Sequence, residues 1–135
     1  MKHGIKLATV NLNAPDPSAL GAFYARLLDW EVVHDDGGWV VLGHGDDYFR
    51  LTFEKDENYQ RPVWPSEPGQ PPIQMHLDIR VTDLGGAVEH AVACGAELSS
   101  YQPQDDVRVC LDPAGHAFCF FETFPTFWVP VPPAI

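Results

Sequence analysis

The chain is 135 residues long and 45% apolar, enough to bury one substantial core, and its 20% charged fraction is ordinary. The sign of that charge is not: 19 acidic side chains against 8 basic ones give a formal net charge of −11. Without a basic patch to displace counterions, the chain is excluded from the usual nucleic-acid and anionic-membrane binders. Nor does it contain an apolar run of about 18 residues that could span a bilayer. A polar N-terminus without a signal-peptide core, and three cysteines (Cys94, Cys110, Cys119) at no metal-like spacing, predict a reduced, cytoplasmic protein.

Residues 5–14 alternate as a strand does, with Ala8, Val10, Leu12 and Ala14 on one face and Thr9, Asn11 and Asn13 on the other. Asp16 stands at a helix N-cap and Pro17 at the first helical position, so a helix is predicted from Pro17 to about Leu28. Leu20, Phe23 and Leu27, with Tyr24 beside them, form its apolar stripe. A short strand at residues 30–33 and a hairpin turn at Asp35-Asp-Gly-Gly38 follow. The next strands are residues 39–42 and 48–54. On the second of these, Phe49, Leu51 and Phe53 share one face and Arg50, Thr52 and Glu54 the other.

Residues 55–72 are charged and carry Pro62, Pro65, Pro68 and Pro71, the composition of a linker. Trp64 is unusual there; it either packs onto the fold or covers a pocket. A second alternating stretch then runs over residues 73–81, with Leu77, Ile79 and Val81 opposite His76, Asp78, Arg80 and Thr82. Asp83 caps a helix over residues 84–94 that stops at Gly95. A short strand at 96–99, a loop, a strand at 107–111, a turn at Asp112-Pro-Ala-Gly115 and a last strand at 117–122 complete the series. The tail, residues 123–135, has too many prolines for a helix or a central strand. Its Phe124, Phe127 and Trp128 are expected to be buried against this chain or a second copy.

The chain is thus one module written twice. Sliding Asp16 onto Asp83 puts Leu12 on Ile79, Val10 on Leu77 and Thr9 on His76. The expected class is α+β. Two βαβββ modules, about residues 5–54 and 73–122, form one domain spanning 1–135. One helix can cover only one face of each four-stranded sheet. The two curved mixed sheets would then enclose a cup lined by their polar faces.

The paired βαβββ order, the His76-to-Leu84 strand-to-helix start (His, six residues, Asp-Leu) and Asp112-Pro-Ala-Gly-His116 before the final strand resemble the vicinal-oxygen-chelate superfamily. That superfamily includes glyoxalase I, bleomycin-resistance proteins and extradiol dioxygenases. The chain is most similar to its actinobacterial-type glyoxalase-like variants. Metal-binding members place one ligand on the first and last strand of each module, usually His or Gln, Glu, His and Glu. Carried across, these positions fall on Thr9, Thr52, His76 and Cys119, with Glu54 two residues along the same face as Thr52. Only His76 matches. The resemblance therefore implies a glyoxalase-like protein that binds a small organic ligand in the cup without the usual metal site. It also implies a homodimer.

The residues keep two alternatives open. One is a divalent metal held at least by His76, in a lyase, isomerase or dioxygenase with an altered ligand set such as His76, Asp78 and Glu54. The other is a metal-free acid–base enzyme in which Asp78 fixes the His76 tautomer. Arg80, next on that face, would hold an anion or simply pair with Asp78. Thr9, Asn11, Arg50, Thr52, Glu54, Arg80, Cys119 and Phe121 are the candidate ligand-binding residues. Trp39, Tyr48 and Trp64 supply further aromatic surface. Cys119 is a candidate nucleophile or a small buried hydrophobe. His116 is assigned to its turn and His44 to an exposed one.

Overall fold

Residues 2–128 are described in the computed structural model. The chain divides into two compact units, Met1–Arg61 and Pro62–Ile135. Each carries one four-stranded mixed sheet and one covering α-helix.

The first unit contains β1 (Thr9–Ala14), α1 (Pro17–Leu28), β2 (Glu31–Asp35), β3 (Trp39–Gly43) and β4 (Arg50–Lys55). Its sheet order is β1-β4-β3-β2, with β1 and β4 parallel and the other pairs antiparallel. Helix α1 begins as its sequence dictates: the Asp16 carboxylate accepts from the Ala19 N–H at 3.1 Å, and Pro17 occupies a position where no N–H is needed. Leu20, Phe23, Tyr24 and Leu27 are buried against Val40, Leu42, Leu51 and Phe53. The Tyr24 and Phe53 rings stack with centroids 5.6 Å apart. Helix and sheet approach so closely that a Cβ on Gly21 would lie 2.7 Å from Val40 Cγ1. In the β2–β3 hairpin, Asp36 accepts from the Gly38 and Trp39 N–H groups, and these bonds with His34 hold its carboxyl below the usual range.

The second unit contains β5 (Leu77–Arg80), α2 (Leu84–Cys94), β6 (Glu97–Leu98), β7 (Val107–Leu111) and β8 (Ala117–Phe121), ordered β5-β8-β7-β6. Asp83 caps α2 by accepting from the Gly86 N–H, and Gly95 ends it at φ 120°. Helix α2 is rich in Gly and Ala and buries only Ala91 completely. The weight of this core therefore rests on the sheet: Val109, Cys110, Ala117, Phe118 and Phe120. The β7–β8 turn is built around Asp112, which is 1% exposed. Its Oδ1 accepts from the Ala114 and His116 N–H groups at 2.9 and 3.0 Å, and its Oδ2 lies 2.8 Å from His116 Nδ1. His116 belongs to the turn, as its motif predicts.

Several boundaries differ from the alternation. Strand β1 starts at Thr9 rather than residue 5, and β5 covers only Leu77–Arg80 of the predicted 73–81. Before β5 the chain is held instead by an isolated bridge between Val63 and Pro72. Trp64 packs within the second unit beside Tyr101, with ring centroids 6.0 Å apart. Its Nε1–H is buried with no hydrogen-bond partner among the described residues. Of the two expected partners for the tail aromatics, this chain and a second copy, this chain leaves Phe124, Phe127 and Trp128 37%, 87% and 59% exposed, although Phe124 packs edge-on against Phe121. The proline-rich end of the tail, residues 129–135, lies outside the described residues.

Candidate functional site

The second unit gathers its ionisable side chains where β5 runs beside β8. The parallel register pairs Asp78 with Cys119, so both project from the same face. His76 stands two residues before Asp78 on that face, just ahead of the strand. Its Nε2 lies 3.2 Å from Asp78 Oδ1, with the two side chains 46% and 55% exposed. One donor atom from each of His76, Asp78 and Cys119 lies within 4.8 Å of the other two. Burial raises the Cys119 thiol to about 11, and the neighbouring Asp78 carboxylate adds to the shift. A thiol so raised is protonated at neutral pH, which removes the basis for a metal-free cysteine nucleophile.

These side chains line a concavity of about 800 Å³ built entirely from the second unit. Its aromatic part comes from Phe121, Phe124 and Trp128. Phe124 meets Phe121 edge-on at 5.2 Å and stacks on Trp128 at 6.2 Å, with ring planes 11° apart. Asp105, Asp106 and Glu122 add carboxylates. Arg80 does not pair with Asp78; its Nε donates to the Glu122 carbonyl at 2.9 Å, while Glu122 Oε2 accepts from the Leu84 N–H at 2.8 Å. Of these lining residues, His76, Asp78, Arg80, Cys119 and Phe121 are candidates the sequence offers, whereas Asp105, Asp106, Glu122, Phe124 and Trp128 are not. Part of the missed set was countable. An antiparallel hairpin closed at Asp112–Gly115 must bring Val107 opposite Phe121, and with it the loop just before Val107.

In the first unit the corresponding residues form a closed polar knot. Thr52 pairs with Asn11 across the parallel β1–β4 ladder, in the position that Cys119 and Asp78 hold in the second unit. Asn11 Nδ2 donates to Thr52 Oγ1 at 2.9 Å, Thr9 Oγ1 lies 3.2 Å from the same oxygen, and Thr52 is 3% exposed. Arg50 Nη1 donates to the Asp47 carbonyl, and its guanidinium packs over Gly43, so it is tied to the β3–β4 loop. Glu54 is exposed on β4. Trp64 is not among the residues lining the concavity.

A family comparison decides the kinship. The glyoxalase-like domain matches residues 9–121. The chain belongs to that family. Several solved structures share the fold at low identity. A glyoxalase/bleomycin resistance protein/dioxygenase family enzyme from Burkholderia phytofirmans PsJN is 21% identical and superposes with a TM-score of 0.66, covering 89% of this chain and 100% of its own. A glyoxalase-related enzyme from Fulvimarina pelagi is 19% identical with a TM-score of 0.64, covering 87% and 88%. An antibiotic-binding protein from Streptomyces sp. CB03234 is 15% identical with a TM-score of 0.59, covering 90% and 98%. No curated protein sequence matches the chain. The family's four-ligand metal set does not fit this glyoxalase-like chain. Two of its positions carry Thr9 and Thr52, uncharged hydroxyls already bonded to one another and to Asn11.

Proposed function

We propose that this glyoxalase-like protein binds a small organic ligand in the second-unit concavity, without the family's four-ligand metal site. The observation that carries the reading is the concavity itself. Its size falls within the range of small-molecule sites, and it combines a contiguous aromatic wall with a few converging polar groups. The carboxylates of Asp78, Asp105, Asp106 and Glu122 outnumber the single guanidinium of Arg80. That balance favours a ligand with a planar aromatic part and a basic nitrogen, which the rings can also hold by cation–π contact. The test is a thermal-melting screen of aromatic amines, aromatic carboxylates and uncharged aromatic alcohols. Binding at about 100 times Kd stabilises the fold by about 2.7 kcal/mol, so the amines should raise the melting temperature by several degrees. Trp128→Ala should abolish the rise. If no class of compound shifts the transition, the reading fails.

A second reading draws on the 3.2 Å contact between His76 Nε2 and Asp78. A carboxylate at one ring nitrogen orients the other to take a proton, as in removal of a proton next to a carbonyl. An activity found in this protein that survived His76→Ala would exclude it. Further support goes to a homodimer: Phe127 and Trp128 are large apolar surfaces left in water by the single chain.

A further inference from the structure

We infer that the concavity takes an aromatic molecule charged at both ends, with a carboxylate at Arg80 and an ammonium at Asp105 and Asp106. This rests on the small-molecule reading of the same concavity and adds the charge pattern of the ligand. The sheet register carries it. Arg80 pairs with Phe121 across the parallel β5–β8 ladder, and Val107 pairs with Phe121 across the antiparallel β7–β8 ladder. Paired residues share a face, so Arg80, Phe121 and Val107 form one row across the sheet, and all three line the concavity. Neighbouring strands lie about 4.8 Å apart, which puts Arg80 and Val107 about 10 Å from each other with Phe121 between them. Asp105 and Asp106 immediately precede Val107 and line the same concavity. Opposite charges therefore stand on opposite sides of an aromatic floor.

Both ends are held ready. Arg80 Nε donates to the Glu122 carbonyl at 2.9 Å, which anchors one edge of the guanidinium and leaves its two Nη groups for a carboxylate. Among the described residues no carboxylate forms an ion pair with it. At the other end, Arg108 Nη1 donates to the carbonyls of Val107, Asp105 and Gln104 at 2.8, 3.0 and 3.4 Å. Those bonds hold the backbone that carries the two carboxylates, so less ordering is needed when an ammonium binds. The Phe124 and Trp128 rings complete the aromatic wall between the ends. An α-amino acid, with both charges on one carbon, reaches only one end at a time.

The test is calorimetric titration of the full-length protein with four probes: para-(aminomethyl)phenylacetate, para-methylbenzylamine, para-methylphenylacetate and phenylalanine. The doubly charged para compound should bind at least about tenfold more tightly than each of the other three. Arg80→Gln should bring it down to the affinity of the amine without weakening the amine itself. The double variant Asp105→Asn, Asp106→Asn should bring it down to that of the phenylacetate. The three replaced side chains are exposed, and the loop variant leaves the Arg108 bonds to backbone carbonyls in place, so it keeps the fold if Arg80→Gln does not. An amine that binds as tightly as the doubly charged compound overturns the inference and leaves the small-molecule reading standing. So does phenylalanine binding of equal strength. Binding by none of the four also overturns it, and the melting screen then decides the small-molecule reading separately.

Discussion

The second unit holds two His–Asp pairs, and the structure gives them opposite roles. Replacing Asp112 with Ala removes the acceptor for the Ala114 N–H, the His116 N–H and His116 Nδ1, at 2.9, 3.0 and 2.8 Å. Asp112 is 1% exposed, so water does not replace it without opening the turn. At about 1 kcal/mol for each lost bond, the expected destabilisation is about 3 kcal/mol, or roughly a 10 °C lower melting temperature for a chain of this size. Asp112→Asn keeps the Oδ1 acceptor for both backbone groups and should cost about 1 kcal/mol. Replacing Asp78 in the other pair should change stability by less than about 0.5 kcal/mol, because both partners are half in water. The assay is thermal and urea unfolding by circular dichroism on the three variants. An Asp112→Ala protein melting within about 2 °C of wild type would falsify the account of the turn, and an equal loss in Asp78→Ala would dissolve the distinction between the pairs.

Other outcomes follow from particular contacts. Gly21→Ala should destabilise by roughly 1–2 kcal/mol despite the better helix propensity of Ala, because the added Cβ meets Val40 Cγ1 at 2.7 Å; unfolding that shows stabilisation would mean α1 can lift off β3 freely. Asp83→Ala should lose about 1 kcal/mol through the freed Gly86 N–H, read from the same urea curves, and an unchanged midpoint would deny the cap any role. Light scattering should return a dimer for the native chain and a monomer for the double variant Phe127→Asp, Trp128→Asp; a native monomer removes the homodimer proposal.

Helix positions were the most legible part of the sequence, since each carries its own local signal. Asp16 with Pro17, and Asp83 with Gly95, mark starts and stops by satisfying particular backbone groups, and both helices run where those residues place them. Strand ends were less legible. Alternation continues through His76 and Met75, but a ladder needs a partner, and β8 offers paired residues only from Phe118 to Phe121. The tail's partner was not legible for a related reason. Aromatic content measures how much surface a segment would gain by burial, not whether this chain or a second copy supplies the place for it, and this chain leaves Phe127 87% exposed.

The site was legible in its β5–β8 ladder and hidden in the residues flanking it: Asp105, Asp106, Glu122, Phe124 and Trp128. Repetition explains the first: Asn11 with Thr52 and Asp78 with Cys119 are matching positions of matching ladders, so one module identifies the other's candidates. What repetition could not supply is the divergence between them. In the first unit those positions carry side chains that bond to one another and close, with Thr52 buried at 3% exposure. In the second they carry an imidazole, a carboxylate and a thiol. There His76 and Asp78 pair with each other at 3.2 Å while both stay about half in water. The same backbone geometry therefore yields a buried polar cluster in one unit and a half-exposed, ionisable group in the other. The concavity lies where that group is, which is why the second unit alone carries the proposed chemistry.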